Sequence, residues 1–358
     1  MWSIRYIADS IHEWLSSSFN PTWTLVIEML IAGVCVIGLF AMLGLVLVLM
    51  ERKVSAWMQI RLGPNRVGPK GMLQSLADTL KLIVKEGLTP DGADKLLFNL
   101  APFVAMIVAM LLMAPIAFAK DFQLWDLNIG VLYVSAVSSI MVISILMAGW
   151  SSNNKYSLVG AMRSGAQIVS YELSAGLSIL AIVVLTGSLS IPDIIKSQAD
   201  GWWIFKGHIP AVIAFVIFII AVTAETNRAP FDMAEAESEL TAGFHTEYSG
   251  MKFALFFLAE YVNVFIVCAI GATLFLGGWM PFHIGNWQDF NDKMDYIPSS
   301  LWFFGKTFFL IFIIMWFRWT FPRLRIDQLL NLEWKYLLPI SMLNLLLTTL
   351  MAIMGWHF

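Results

Sequence analysis

Two glutamates lie within long apolar runs of the sequence. Glu172 lies in GAQIVSYELSAGL, and Glu260 lies in FFLAEYVNVF. At about 1.5 Å per residue, each carboxyl lies roughly 10 Å inside the end of a predicted membrane helix. An ionised side chain there is costly unless it is paired or hydrated, although a neutral acid that only hydrogen-bonds a neighbouring helix is the alternative for each. The two positions therefore make both carboxylates candidates for a function within the membrane.

A second group of acids lies between two apolar runs, in segment 225–252. Its acids are Glu225, Asp232, Glu235, Glu237, Glu239 and Glu247, and its bases are Arg228 and Lys252. Pro230 suits the first turn of a new helix, on which Asp232, Glu235 and Glu239 would share a face. Crowded carboxylates repel one another, which predicts raised and coupled pKa values for the cluster. The alternative is a solvated acidic loop that docks a basic partner.

The first long polar loop combines charge with rigid turns. Glu51, Arg52 and Lys53 directly follow the uncharged run 29–50, so a carboxylate and a guanidinium lie at the membrane boundary. Gly-Pro pairs follow, which break a helix and place Arg61 on a rigid connector. A positively charged loop that only sets the orientation in the membrane is the alternative.

An amphipathic helix is predicted in this loop, from Gly71 to Lys85. Its apolar residues recur at spacings of three and four and are Leu73, Leu76, Leu80 and Ile83. Asp78 falls on another face of the same helix. Such a helix lies at the membrane interface or docks under a partner.

Cysteine and histidine are too sparse to suggest a redox centre. Cys35 and Cys268 both lie in apolar runs, without a CxxC or Cys/His ligand spacing, and the five histidines do not pair at helical spacing. The sequence therefore predicts that this chain binds no metal, flavin, haem or iron–sulfur centre. The net charge of −3 gives no basic surface for nucleic acid.

The composition is that of a membrane protein. Of 358 residues, 59% are hydrophobic and 13% charged, against roughly 25% charged in an average soluble domain. Eight stretches approach the length of about 20 residues that a spanning helix needs. They are 23–50, 96–119, 131–150, 166–187, 209–224, 253–279, 301–319 and 337–353. We therefore expect an all-α integral membrane protein that forms a single polytopic domain over residues 1–358.

The distribution of Lys and Arg predicts the orientation. Sixteen of these 22 residues lie in segments 51–95, 155–163, 228–252 and 318–335. Basic residues are enriched in cytoplasmic loops, so these segments are predicted to be cytoplasmic. With eight spans, both termini are predicted to be extracytoplasmic.

Four long motifs resemble a known family. They are ERKVSAWMQIRLGPNRVGPKGMLQSLADTLKLIVKE, WSSNNKYSLVGAMRSGAQIVSYE, AETNRAPFDMAEAESELTAGFHTEYSGMKFALFFLAEY and FPRLRIDQLLNLEWKYLLP. Together they resemble the H-subunit family of bacterial NADH-quinone oxidoreductase, respiratory complex I, over residues 24 to 340. The resemblance implies a subunit of the bacterial inner membrane that helps to form a chamber for its substrate, quinone.

The resemblance also implies roles for individual residues. Residues near the quinone path would be Glu51, Arg52, Arg61, Arg228 and Phe257. Residues of an acidic chain towards the proton-translocating subunits would be Asp78, Glu172, Glu225, Asp232, Glu235, Glu237, Glu239 and Glu260. Implied partners are the quinone-site and iron–sulfur subunits of the hydrophilic arm, the small membrane-arm subunits and membrane lipid.

Two other interpretations remain open from the residues. A related membrane subunit of a hydrogenase, formate hydrogenlyase or ferredoxin-driven complex would share the fold but use another electron donor. A stand-alone proton-coupled transporter is the alternative from a different class, and the long charged loops favour a docking subunit over it. The residues do not distinguish ubiquinone from menaquinone, or protons from sodium, and they do not set the proton stoichiometry.

Overall fold

The computed structural model describes residues 4–120, 122–234, 237–283 and 287–356. Its α-helices are α1 (Ile4–Ser18), α2 (Pro21–Met58), α3 (Gln74–Val84), α4 (Lys95–Met113), α5 (Gly130–Ser151), α6 (Lys155–Thr186), α7 (Ile191–Lys196), α8 (Trp203–Lys206), α9 (His208–Glu225), α10 (Glu237–Leu240), α11 (Gly250–Phe275), α12 (Gln288–Asp295), α13 (Ser299–Thr320), α14 (Ile326–Leu332) and α15 (Leu338–Met354). A π-helical turn joins α14 to α15, and the short strands β1 (Ala117–Ala119) and β2 (Phe122–Gln123) pair antiparallel.

Eight helical segments of the described chain are long and apolar enough to cross a membrane, which confirms the all-α membrane fold. They are α2, α4, α5, α6, α9, α11, α13 and the continuous segment from α14 to α15. Two helices are longer than expected. Helix α2 continues past residue 50 to Met58 because Glu51, Arg52 and Lys53 are good helix formers that do not end a helix. Helix α6 begins at Lys155, where Asn154 caps it by accepting from the Tyr156 amide.

Two other spans end earlier than the apolar runs suggest. Helix α4 ends at Met113, since the proline at position 115 cannot continue a helix. Helix α11 ends at Phe275, and Gly277 and Gly278 follow it with positive φ. Hydropathy therefore locates these spans but does not locate their ends, which depend on capping and on helix-breaking residues.

The chain connectivity defines two ends of the helix bundle. Segments 59–94, 152–154, 226–249 and 321–325 all lie at one end, here called the basic side. The other end, here called the opposite side, carries both ends of the described chain. Helix α11 is the most buried of the described spans and packs against α2, α4, α9 and α13. Its residue Glu260 is partly buried, with a side chain that is 18% exposed.

The expected helix from Pro230 does not form, because other segments use the hydrogen-bonding groups of its backbone. Residues 226–234 form turns, and the next helix begins only at Glu237. Gln167 Nε2 donates to the carbonyls of Ala224 at 2.6 Å and Phe231 at 2.7 Å. The Leu324 amide donates to the Pro230 carbonyl at 3.1 Å. The prediction that Asp232, Glu235 and Glu239 share a helical face is therefore wrong.

The amphipathic helix of the first loop is present as α3. Its predicted apolar residues, Leu73, Leu76, Leu80 and Ile83, remain exposed in the isolated chain. The connector before it is held in place because Lys53 Nζ donates to the Lys70 carbonyl at 2.8 Å. Gly71 has φ +77°, and a Cβ there would lie 2.8 Å from the Asn65 amide nitrogen. This tight turn requires glycine.

Candidate functional site

A buried network of charges joins three parts of the bundle. Glu51 on α2 is 8% exposed and hydrogen-bonds Arg318 at the end of α13. Arg228, in the turn after α9, lies with Nη1 3.5 Å from Glu51 Oε2 and with Nε 3.9 Å from Glu260 Oε1. Two carboxylates and two guanidiniums thus meet near the basic side. Such groups tolerate burial when charges and hydrogen bonds are matched.

Aromatic rings complete this network on α11. The guanidinium carbon of Arg228 lies 4.4 Å from the centroid of the Tyr261 ring, a cation–π contact. The ring of Phe257 lies 4.9 Å from that of Tyr261. Tyr261 therefore connects the buried charges to the face of α11 that carries Phe257.

The same face of α11 lines a cavity of about 220 Å³ between α2, α3 and α11. Most of its lining is apolar and includes Phe257 and Leu258, but Arg52 and Asp78 also line it. These two residues form an ion pair, and Gln74 Nε2 donates to Asp78 Oδ1 at 3.0 Å. A mostly apolar pocket with a few polar groups is the usual form of a small-molecule site.

Two further carboxylates face a separate cavity of about 40 Å³ deeper in the bundle. Glu172 and Glu225 line it together with Ser135 and Ser138. The hydroxyl of Ser139 donates to Glu172. The rest of the lining is apolar, but a space of this size can hold ordered water where the carboxylates and hydroxyls offer it hydrogen-bond partners. The arrangement can therefore place a hydrogen-bonded chain between the two acids.

The remaining predicted acids are dispersed. Glu239 accepts from Arg163 Nη1 at 2.7 Å, and this hydrogen bond holds the pKa of Glu239 below its usual range, whereas crowding was expected to raise pKa values in the cluster. Glu247 accepts from Asn154 at 2.6 Å. Asp232 lies half-buried in the turn 226–234. Glu235 and the side chain of Glu237 lie outside the described residues.

Arg61 is the predicted quinone-path residue that the structure separates from the others. It lies exposed after the end of α2, and its Nε donates to Gln59 Oε1 at 2.6 Å. Glu51, Arg228 and Glu260 meet in the charge network, whereas Arg52, Asp78 and Phe257 meet at the larger cavity. The candidate site is thus two adjoining parts that share α2 and α11.

Comparison with known proteins identifies the family. The profile of the NADH dehydrogenase family matches residues 31–349. The H subunit of NADH-quinone oxidoreductase from Bacteroides thetaiotaomicron is 57% identical over all 358 residues, covering the whole of both chains. The chain belongs to the H-subunit family of NADH-quinone oxidoreductases.

More distant members of the H-subunit family support the same assignment. The protein of that name from Carboxydothermus hydrogenoformans is 47% identical over 96% of this chain and 94% of its own length. The one from Brevibacillus brevis is 46% identical over 93% of this chain and 95% of its own length. The candidate site residues all fall within residues 31–349, the part that the family profile matches.

The structure of this H-subunit family member places two charged residues in the bundle that the sequence does not single out, the partly buried Arg318 and the buried Glu333. In the sequence, Arg318 contributes only to the prediction of membrane orientation. In the structure it pairs with Glu51. The signal in the sequence is that Glu51 and Arg318 each lie where an apolar span ends at the basic side. Glu333 is 0% exposed and accepts from Ser174 Oγ at 3.0 Å. It falls in a predicted loop, and only the π-helical turn brings it into the bundle.

The ion pair between Glu51 and Arg318 gives a testable prediction. Arg318→Met removes one of the two cations beside a buried carboxylate, which destabilises the fold. Glu51→Gln then removes the charge left behind, so the double variant should melt at a higher temperature than Arg318→Met alone. The measurement is the thermal melting temperature of each purified variant.

The exposed pair between Arg163 and Glu239 is the matched control. Arg163→Met and Glu239→Gln should each lower the melting temperature only slightly and additively, because exposed pairs contribute at most about 1 kcal/mol. Additive effects of Glu51→Gln and Arg318→Met would contradict the proposed coupling between those two residues.

Proposed function

We propose that this chain is the membrane subunit of an NADH:quinone oxidoreductase that admits quinone from the bilayer and couples its reduction to proton translocation. The observation that carries this proposal is a continuous set of contacts. Phe257 lines the 220 Å³ cavity and contacts Tyr261, whose ring contacts Arg228, which in turn lies beside Glu51 and Glu260. A molecule in the cavity therefore adjoins a buried charge network.

The cavity has the chemistry that a quinone requires. Its apolar lining suits a prenylated ring and tail, and Arg52 and Asp78 supply polar groups at the rim. Arginine's planar guanidinium can orient a polar headgroup by hydrogen bonding. Arg61 lies further out on the same side of the bundle, where we propose that it contacts the headgroup region once the partner subunits are docked.

Quinone reduction takes up two electrons and two protons to give quinol. In this proposal the electrons come from an iron–sulfur centre on a neighbouring hydrophilic-arm subunit. The change of charge acts in a poorly hydrated region, where electrostatic interactions are strong. Charge pairing among Glu51, Arg228 and Glu260 must therefore respond to the redox state of the quinone.

The deeper cavity continues this coupling route. Glu172 and Glu225 line that cavity beside Ser135 and Ser138, where water can connect the two acids. Asp232, Glu235, Glu237 and Glu239 would extend the route at the basic side, towards the small membrane-arm subunits. The exposed apolar face of α3 is proposed to meet lipid or a protein of the hydrophilic arm.

A related membrane component of a hydrogenase, formate hydrogenlyase or ferredoxin-driven complex remains the second candidate, because the same cavity and charges could serve another electron donor. A stand-alone transporter is the third. Purification of the tagged chain from its native membrane separates them: co-purifying flavin and iron–sulfur subunits with NADH:quinone activity support the first proposal. Hydrogenase subunits in that preparation would support the second, and isolation of the chain alone would support the third.

Narrowing the cavity should weaken quinone use selectively. Ala41 lines the cavity, so Ala41→Phe places a ring in the quinone's space and should raise the KM for a short-chain quinone about tenfold, equivalent to about 1.4 kcal/mol. NADH:ferricyanide activity of the assembled complex should not change. The control is Gly33→Phe on the same helix, since a Cβ at Gly33 meets nothing within 4 Å. Equal KM values for Ala41→Phe and the parent would show that the cavity is not part of the quinone path.

Glu260→Gln tests the coupling route, because it keeps the side chain's shape and a hydrogen-bonding group but removes the charge beside Arg228. The complex should assemble, and coupled turnover should fall by about tenfold or more, equivalent to about 1.4 kcal/mol in the barrier. NADH:quinone activity and proton pumping in membrane vesicles, normalised to assembled complex, measure the effect.

Glu260→Asp refines the same test, since it retains the charge but withdraws it by one methylene and should be intermediate. A relay residue predicts the order parent, Asp variant, Gln variant. Parental activity and pumping in Glu260→Gln would return this residue to a purely structural role.

The basic side is proposed to face the cytoplasm, with both termini outside, in the bacterial inner membrane. Ile60 at the basic side and Tyr296 at the opposite side are both well exposed. In a background lacking Cys35 and Cys268, Tyr296→Cys should react with an impermeant maleimide in intact spheroplasts. Ile60→Cys should react only in inverted vesicles stripped of hydrophilic subunits with alkali. Labelling of Ile60→Cys in intact spheroplasts would contradict the proposed orientation and favour the reverse one.

A further inference from the structure

A third cavity, larger than the two described above, lies at the other end of the bundle, among α8, α9, α13 and the end of α11. It has a volume of about 590 Å³ and lies close to the opposite side of the bundle. Its lining is almost entirely aromatic and aliphatic, and includes Phe205, Phe215, Leu301, Trp302, Phe309 and Ile313. This cavity, here called the outer groove, does not share a lining residue with the quinone or carboxylate cavities.

Among the described residues that line the outer groove, Lys306 is the one with a charged side chain. It is 7% exposed, and its Nζ donates to the carbonyls of Gly278 at 3.0 Å and Met280 at 2.6 Å. The same nitrogen lies 4.5 Å from the Trp202 ring centroid and 5.7 Å from that of Trp302. Within the described residues, no carboxylate lies within 4.0 Å of it.

The two carbonyl bonds hold the ammonium in place, and among the described residues no carboxylate pairs with it. An ammonium has three donors, so one N–H remains for an additional acceptor at the groove. Trp202 contributes its ring to the groove beside this ammonium. The outer groove therefore presents one ammonium in an otherwise apolar lining.

The side chain of Lys306 extends from within α13 to the loop after α11, at the opposite side of the bundle. It lies seven residues after the start of α13 at Ser299, which is about 10 Å along the helix axis. Lysines near helix ends ordinarily extend their ammonium towards the aqueous interface. Here the ammonium is instead anchored to the loop after α11, facing the groove.

We propose that the outer groove binds one anionic phospholipid, with its phosphodiester at Lys306 and an acyl chain along the aromatic lining. A transmembrane helix from another protein of the complex is the less favoured occupant, because an apolar helix would bring no anion to Lys306. The bound lipid would supply the negative charge that the described residues do not place within 4.0 Å of Lys306. This site does not depend on the proposed quinone chemistry.

Gly305 allows the groove to be filled without disturbing its charge. It lines the groove next to Lys306, and a Cβ at this position meets nothing within 4 Å. Gly305→Leu should therefore fold normally and retain both carbonyl bonds of Lys306, while its side chain occupies the lipid's space. Gly38→Leu on the exposed face of α2 is the matched control, since its Cβ also meets nothing within 4 Å.

The experiment uses the assembled complex in nanodiscs containing phosphatidylglycerol with a diazirine near the glycerol end of one acyl chain. After irradiation, lipid adducts are mapped by peptide mass spectrometry. The expected result is labelling of α8 and α13 that falls at least fivefold in Gly305→Leu and is unchanged in Gly38→Leu. Lys306→Met should abolish the preference for this probe over the matching phosphatidylcholine probe.

Three outcomes would overturn the proposal. The first is parental labelling of α13 in Gly305→Leu, because the lipid would then not occupy the groove. The second is equal labelling by the phosphatidylcholine and phosphatidylglycerol probes in the parent, because the site would not select an anion. The third is a cross-link from a photoreactive residue at Phe309 to another protein of the complex in place of lipid, because protein would then cover the groove. Gly305→Leu keeps the test decisive if Lys306→Met does not assemble.

Discussion

The burial of Glu51 between two guanidiniums is the constraint on which the basic side of this bundle depends. Arg318 approaches from α13 and Arg228 from the turn after α9, so one carboxylate links segments far apart in the chain. A carboxylate that is 8% exposed needs such partners to offset the loss of water. The requirement in turn holds the turn 226–234 against α2 and α11, where Arg228 also reaches Glu260.

The surroundings of the charged groups therefore differ from one end of the bundle to the other. Near the basic side, paired charges adjoin an apolar cavity. A change of charge in that cavity therefore acts on ion pairs whose opposite charges already nearly cancel. Deeper in the bundle, Glu172 and Glu225 face a small cavity whose lining is otherwise mostly apolar. At the opposite side, Lys306 stands without a carboxylate partner in the described chain and faces the outer groove. Each of these charged groups thus lies where another component of the assembly or the membrane can supply a partner for its charge.

The acidic segment illustrates why crowding along a sequence does not establish crowding in space. Glu239 pairs with Arg163 and Glu247 with Asn154, while Glu225 faces a cavity inside the bundle. Backbone hydrogen bonds from Gln167 and Leu324 hold residues 226–234 in turns. Acids that are neighbours in the chain therefore lie in different electrostatic environments, and proton transfer between them requires water or movement of the segment.

The sequence by itself determined the all-α fold, the eight spans, the amphipathic helix in the first loop and the location of Glu172 and Glu260 within spanning helices, where the structure shows both to be partly buried. These features depend on local properties: the length of an apolar run, helical periodicity and the cost of a charge in hydrocarbon. Only the tertiary structure decided that Arg318 pairs with Glu51, that Glu333 is buried and that Arg61 lies apart from the cavity. Pairing partners separated by 267 residues are selected by how helices pack, and no local pattern encodes that distance.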